Sequence, residues 1–185
     1  MRRGKSMRFC RSHFPSLCAL ALFLSFAGCA TVDKAARQQQ RAAAAKELFE
    51  QTVKLYHLPS GEAQGMEREK LLAQAAAGYE RLLKNYSDQP HWCAPALRSL
   101  GNIRATQGRV ADAVKIYRRL EKQFPRDDWE ILQAWKSAAD LLWEAKQPEE
   151  AKVFYRKIVA RFDQPDAAAI VKAIVRGSQS RLAGE

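Results

Sequence analysis

Four apolar side chains recur along this chain at one fixed period. In the central copy they are Ala113, Tyr117, Leu120 and Phe124. The copies one period later and one period earlier hold the following residues: Ala151, Tyr155, Ile158 and Phe162, and Ala75, Tyr79, Leu82 and Tyr86. Steps of three and four positions within a copy place side chains on one face of a helix. A fixed period of this size is typical of stacked helical pairs that bury their apolar faces against each other.

With 185 residues, of which 47% are hydrophobic and 28% charged, the chain can form one ordinary globular domain rather than a disordered tail or a membrane bundle. The net charge of +11 includes five cations from residues 1–28, a segment without acidic residues, so the remainder carries +6. A solvated helical surface accounts for that modest excess. We therefore expect no nucleic-acid partner.

The first 28 residues have the architecture of a secretory signal peptide. Five basic residues lie between Arg2 and Arg11, and the apolar run LCALALFLSF follows over residues 17–26. This run is shorter than the roughly 20 apolar residues that a membrane-spanning helix needs. We expect residues 1–28 to be cleaved, and Met7 is an alternative start that leaves a signal peptide of more usual length.

The end of the apolar run resembles the lipobox of bacterial lipoproteins. Phe26, Ala27, Gly28 and Cys29 stand in the lipobox positions. The resemblance implies lipidation of Cys29, with palmitate among the acyl chains, and a tether over residues 29–40. Ala30 rather than an aspartate after the cysteine implies the outer membrane, with the domain facing the periplasm. The alternative is an ordinary signal peptide that leaves Cys29 as a free thiol.

The periodicity predicts seven helices after the tether, separated by Pro and Gly signals. Their predicted ranges are residues 35–56, 67–86, 91–107, 109–124, 129–145, 148–162 and 167–176, with fraying from Gly177 onward. Asp33 could cap the first, and residues 57–65 read as a loop because they contain Pro, Ser and two glycines. We interpret the last helix as a cap over the open end of the array. Cys93 is predicted to be a buried, unpaired thiol near a helix start.

The repeat resembles the tetratricopeptide repeat (TPR) family, in which a first helix carries a bulky and a small residue and a second helix carries Ala, an aromatic and often a closing proline. These positions are filled here by Leu97 with Gly101, Trp135 with Ala139, and Ala113, Tyr117, Leu120 and Pro125. The resemblance implies a short right-handed all-α solenoid over residues 41–185 that binds other proteins. The period is slightly longer than the one usual for the family. Lipidated cysteine, tether and long helices together also resemble the BamD-like envelope lipoproteins, which carry more units.

Catalytic residues are scarce in this sequence. After processing, the histidines are His57 and His91, and no Ser, Cys or carboxylate lies at a diagnostic spacing from them. Gly61 and Gly65 lack the lysine and hydroxyl of a phosphate-binding loop. We expect no enzyme, no metal, no cofactor and no small-molecule substrate.

The TPR resemblance implies a concave groove lined by the first helices. The groove residues that it implies are Arg98, Asn102, Lys136, Asp140 and Trp143. Trp143 is the strongest candidate because large aromatics anchor interfaces. The alternatives are a solvated face without a ligand and, for Trp143, packing under the last helix.

Cations also repeat with the period. Arg81, Arg119 and Lys157 follow one another at intervals of one period and predict a basic ridge on the second helices. The ridge suggests an alternative function, binding to a membrane surface or a cell-wall polymer, although a solvated face also explains it. Our first expectation is a protein-binding adaptor in a bacterial envelope, and self-association through an open end of the array is also compatible with the pattern.

Overall fold

The computed structural model describes the backbone of residues 19–184 and the side chains of residues 33–184. The predicted basic lead and residues 1–18 of the predicted signal peptide lie outside the described residues, and so does the side chain of Cys29. The chain divides into two compact units, Met1–Gln40 and Arg41–Glu185. Among the helices described, none combines the length and the apolarity needed to cross a bilayer.

In the first unit, the described residues belong to helix α1, Ala19–Thr52. Residues 33–40 are exposed and helical, so the helix predicted from residue 35 is present and begins earlier, within the predicted tether. Asp33 therefore lies inside a helix rather than capping its start, and its carbonyl oxygen accepts a hydrogen bond from Nε of Arg37 at 3.1 Å.

The second unit is an array of antiparallel helices in which each helix from α3 onward packs against the next, and α4 also contacts α6. After the end of α1, the elements are a π-helical turn Val53–His57, α2 Leu58–Glu62, α3 Gly65–Asn85, α4 Pro90–Thr106, α5 Val110–Gln123, α6 Asp128–Glu144, α7 Pro148–Phe162 and α8 Ala169–Ala183. The described residues contain no strand. The prediction of an all-α, TPR-like solenoid is confirmed.

The residues that repeat with the period form the core of the array. Ala113, Tyr117 and Leu120 are buried, and so are their counterparts one period away in either direction: Ala75, Tyr79, Leu82, Ala151, Tyr155 and Ile158. Each alanine lets two helices approach, and each tyrosine fills the space beside it. Burial of this periodic stripe stabilises the helices, since single helices of such lengths are marginal in water.

The turns between helices repeat as well. Gly108 follows α4 with φ +72°, a left-handed conformation that glycine adopts readily after a helix. Lys146 stands one period later, after α6, and adopts φ 61°. A residue with a Cβ is strained in this region, so the repeat geometry overrides the local preference of Lys146.

The prediction of a loop over residues 57–65 is wrong for most of its length, because residues 58–62 form α2. The backbone N–H of Leu58 donates to the carbonyl of Val53, five positions earlier, which widens the helix by one residue. Pro59 follows in the first turn of α2, where the absence of its N–H costs little. The wide turn thus lets the chain continue helically past a proline.

The last helix is longer than predicted. α8 continues through Gly177 to Ala183 and ends at Gly184, which has φ +90°. Ile174, Val175 and Ser178 are buried against the array. Their burial outweighs the roughly 1 kcal/mol that a glycine costs inside a helix. Cys93 is buried as predicted, its thiol donates to the carbonyl of Tyr86 at 3.1 Å, and burial raises its pKa to about 11.

Candidate partner-binding groove

The five predicted groove residues lie on α4 and α6, at two successive junctions of the array. The α4–α6 junction is the region next to Tyr117 of α5 where α4 contacts α6. The α6–α8 junction is the region next to Tyr155 of α7 that residues of α6 and α8 border. The two tyrosines are one period apart, so the junctions are equivalent positions of successive repeats.

At the α4–α6 junction, an ion pair joins the two helices. Nε of Arg98 lies 2.5 Å from Oε2 of Glu130, and the two side chains are 25% and 10% exposed. The cap residue Asp127 accepts a hydrogen bond from the backbone N–H of Glu130 at 3.2 Å, which fixes the first turn of α6. Arg98 is therefore held across the junction by a partner that is distant in sequence.

Asn102 has a structural partner in the same junction. Its side-chain oxygen accepts a hydrogen bond from the hydroxyl of Tyr117 at 2.7 Å. Burial raises the pKa of Tyr117 to about 12, so the phenol stays protonated and donates. The ring lies against Gly101, where an added Cβ would be 2.5 Å from Cε1 of Tyr117. The glycine predicted as the small residue of the first helix is thus required by this contact.

At the α6–α8 junction, the charges pair within one helix instead. Nζ of Lys136 lies 2.5 Å from Oδ2 of Asp140, one turn along α6. The hydroxyl of Tyr155 donates to the other oxygen of Asp140 at 2.9 Å. The pKa of Tyr155 is raised, mainly by burial and further by its hydrogen bond to the Asp140 carboxylate. Asp140 thus has the place in this junction that Asn102 has in the previous one.

Trp143 lies at the outer end of the α6–α8 junction, partly buried. Its ring packs edge-on against Tyr155 with the ring centres 6.2 Å apart. The guanidinium carbon of Arg181, from the last turn of α8, lies 4.9 Å from the centre of the Trp143 ring. The Trp143 ring therefore contacts a side chain of α8 and also borders open space.

The open space is a pocket of about 440 Å³ between α6 and α8, which we call the C-terminal pocket. It is lined by Lys136, Asp140, Trp143, Glu144, Tyr155, Ala173, Ile174, Gly177, Ser178 and Arg181. Three of the five predicted groove residues converge here, whereas Arg98 and Asn102 belong to the α4–α6 junction.

The contribution of α8 to this pocket was missed from the sequence, because α8 was interpreted as a cap that frays at Gly177. The repeat register holds the missing signal. Gly177 stands one period after Ala139, and Arg181 stands one period after Trp143. Extending the register to the last helix would have placed Arg181 at the equivalent position of the groove.

The three cations of the predicted basic ridge have different surroundings. Arg81 and Arg119 are exposed, and Nε of Arg119 donates to Gln123 of its own helix at 2.9 Å. Nζ of Lys157 instead lies 2.8 Å from Glu121 and 5.2 Å from the centre of the Trp135 ring. Because Glu121 neutralises Lys157, the ridge does not present three equivalent cations.

Comparison with known proteins identifies one repeat. Residues 96–127 match the tetratricopeptide repeat family, and this match covers most of α4, all of α5 and the turn that follows. No curated protein matches the sequence. Tetratricopeptide repeats generally mediate protein–protein interactions. The matched segment contains Arg98 and Asn102, and the C-terminal pocket lies one repeat further along the chain.

Proposed function

We propose that this protein is a non-catalytic adaptor, anchored by lipid at Cys29 to the outer membrane of a bacterial envelope and facing the periplasm. In this proposal, a segment of a protein partner binds along α4, α6 and α8. The observation that carries the binding role is the C-terminal pocket, where Lys136, Asp140 and the partly buried ring of Trp143 border an open space. Such partly buried aromatics are the residues that most often dominate interface energies.

The location rests on the sequence. A basic lead, a short apolar run and the lipobox-like segment of residues 26–29 support export and lipidation at Cys29. Several acyl chains on one cysteine would supply the multiple anchors that stable membrane attachment requires. The lack of a diagnostic catalytic spacing around His57 and His91 supports a non-catalytic role.

Crosslinking in the native cell tests the adaptor role directly. The lipidated protein is recovered after crosslinking, and the accompanying proteins are identified by mass spectrometry. We expect a defined set of envelope proteins whose recovery falls at least about tenfold with Trp143→Ala, as for a hot-spot residue. The matched control is Trp129→Ala, which removes a tryptophan that is 47% exposed and lies outside the pocket. Equal recovery with both variants would exclude the groove as the binding site.

A separate experiment tests the anchor. Metabolic labelling with a palmitate analogue should mark the wild-type protein, and Cys29→Ala should lose the label and leave the membrane fraction. The matched control is Cys93→Ala, which removes the buried thiol of α4 and should keep the label. Wild-type protein without label would contradict lipidation, and the binding role would still be open to the crosslinking test.

A further inference from the structure

We infer that the C-terminal pocket receives a cationic side chain, arginine or lysine, from the bound protein segment, in the place now taken by Arg181. The inference rests on the proposed adaptor function and adds the chemistry of one contact within it. It depends on three observations: a guanidinium already placed on the Trp143 ring, an acidic residue beside it without an ion pair, and enough space for a second side chain.

The first observation is the position of Arg181. Its guanidinium carbon is 4.9 Å from the centre of the Trp143 ring, within the distance at which a cation is attracted by the ring quadrupole. Within residues 33–184, Arg181 forms no ion pair with a carboxylate. The ring face therefore already binds the chemical group that we assign to the partner.

The second observation concerns the two carboxylates that line the pocket. Asp140 already accepts bonds from Lys136 and Tyr155, so its charge is largely compensated. Glu144 is exposed and has no ion pair within the described part of the chain. When Arg181 moves away, the pocket presents an aromatic face and the free carboxylate of Glu144, and both attract a cation. An anionic side chain would instead meet repulsion from Glu144, while the charge of Lys136 is engaged by Asp140.

The third observation concerns space and freedom to move. Arg181 lies two positions before the end of α8 and is exposed. Rotation of its side chain therefore frees the face of the Trp143 ring without unfolding a helix. The pocket of about 440 Å³ has room for a large side chain. The wall of α8 at Gly177 borders open space, because an added Cβ there would have no atom within 4 Å.

Competition follows from this arrangement. A partner cation binds the ring only in the fraction of molecules in which Arg181 has moved away, and its apparent affinity is reduced by that fraction. Removing the side chain of Arg181 should therefore strengthen binding of an external cation, because it frees the Trp143 ring and takes a positive charge out of the pocket. An anion-binding pocket would show the opposite response.

The test uses the full mature chain and an acetylated pentapeptide with one central arginine between glycines. The matched control peptide carries citrulline, which has nearly the same shape but no charge. Binding is measured from the indole N–H signal of Trp143 in nitrogen-15 NMR spectra at fixed ionic strength, with the signal assigned by Trp143→Phe. We expect the arginine peptide to shift this signal and the citrulline peptide to leave it in place.

Four variants sharpen the test. Arg181→Ala should bind the arginine peptide at least about fivefold more tightly than the wild type, and Arg181→Lys should stay close to the wild type because it keeps a competing cation. Glu144→Gln should weaken binding about threefold, as the loss of one exposed charge contact predicts. Glu62→Gln removes an exposed carboxylate at the other end of the array and should have no effect. Circular dichroism checks that α8 is retained, and Arg181→Gln replaces Arg181→Ala if helicity falls.

Three results would overturn the inference: equal binding of arginine and citrulline peptides, no gain in affinity with Arg181→Ala, or preferential binding of a peptide with a central glutamate. Failure of the adaptor proposal is distinguishable. If crosslinked partners depend on Trp143 but the arginine peptide does not bind, the adaptor role stands and the cation site is excluded. If the arginine peptide binds and no partner is recovered, the pocket chemistry stands without the adaptor role.

Discussion

The α4–α6 and α6–α8 junctions occupy equivalent positions one repeat apart, and they differ in how their charges pair. At the first, Arg98 reaches across to Glu130 of the next helix. At the second, Lys136 holds the equivalent position of Arg98 but bonds to Asp140 in its own helix. The residue one period after Glu130 is Ala168, which precedes the first residue of α8. At this position Lys136 therefore has no acidic partner equivalent to Glu130.

Other residues around the two tyrosines also differ between the junctions. The position held by Ala105 in one repeat is held by Trp143 in the next, and the position of Trp143 is held by Arg181 one repeat later. At the second junction, large side chains thus lie at the rim, and small ones, Ala173 and Gly177, lie on the wall of α8. The comparison indicates that a few residue changes can turn a closed junction into an open pocket, while the buried tyrosine and its acceptor keep the helices in place.

The largest expected effect comes from removing the tyrosines. Tyr117→Ala should lower the free energy of unfolding by about 3–5 kcal/mol, because the side chain is buried against Gly101 and leaves a cavity. Tyr155→Ala should cost about 1 kcal/mol less, since its space joins a pocket that water can enter. Urea denaturation followed by circular dichroism measures both. Equal costs would show that the pocket does not relieve the loss of packing.

The next effect concerns the charge pairs. Glu130→Gln should destabilise the array by about 1.5–3 kcal/mol, because it leaves the mostly buried charge of Arg98 without its partner. Lys136→Gln should cost about 0.5 kcal/mol, since its pair with Asp140 is exposed and lies within one helix. A double-mutant cycle with Arg98→Gln isolates the first pair. A coupling energy near zero would contradict the assignment of Arg98 as a clamp between α4 and α6.

Two glycines at the same repeat position give a third comparison, because replacing them by alanine should change the free energy of unfolding in opposite directions. Gly101→Ala should destabilise the array by about 1–3 kcal/mol, because its methyl group would overlap the buried ring of Tyr117. Gly177→Ala, two repeats later, should stabilise α8 by about 1 kcal/mol, since the site is open and alanine favours a helix. Thermal unfolding measures both changes. Two changes of the same sign would mean that the backbone, rather than these neighbours, sets the requirement for glycine.

The sequence was most informative where the repeat is regular. The positions of Ala113, Tyr117 and Leu120, and of their counterparts, predicted the buried stripe and the order of the helices, because one period of side-chain spacing determines both. Of the five groove residues that the TPR resemblance implied, Lys136, Asp140 and Trp143 line one pocket, and the other two lie at the previous junction.

The rest depended on contacts that a local pattern does not contain. The ion pairs of Arg98 with Glu130 and of Lys157 with Glu121 join residues that are far apart in sequence, so their partners were not evident from spacing. The continuation of α8 past Gly177 depends on burial of Val175 and Ser178 against the array. The helical segment at Pro59 depends on the π-helical turn before it, a feature without a sequence signature of its own.

The smallest expected effect concerns His57, whose Nδ1 lies 2.6 Å from the hydroxyl of Tyr79, the first of the repeat tyrosines. Burial and then the charge of Arg98 lower the pKa of His57. The unfolded chain therefore binds its proton more readily, and stability should fall as the pH drops through about 6.5. His57→Gln should flatten urea midpoints between about pH 7.5 and about pH 5.5, values above the range where carboxylates titrate. His91→Gln, at an exposed position, is the control, and an equal slope in both variants would contradict a role for His57.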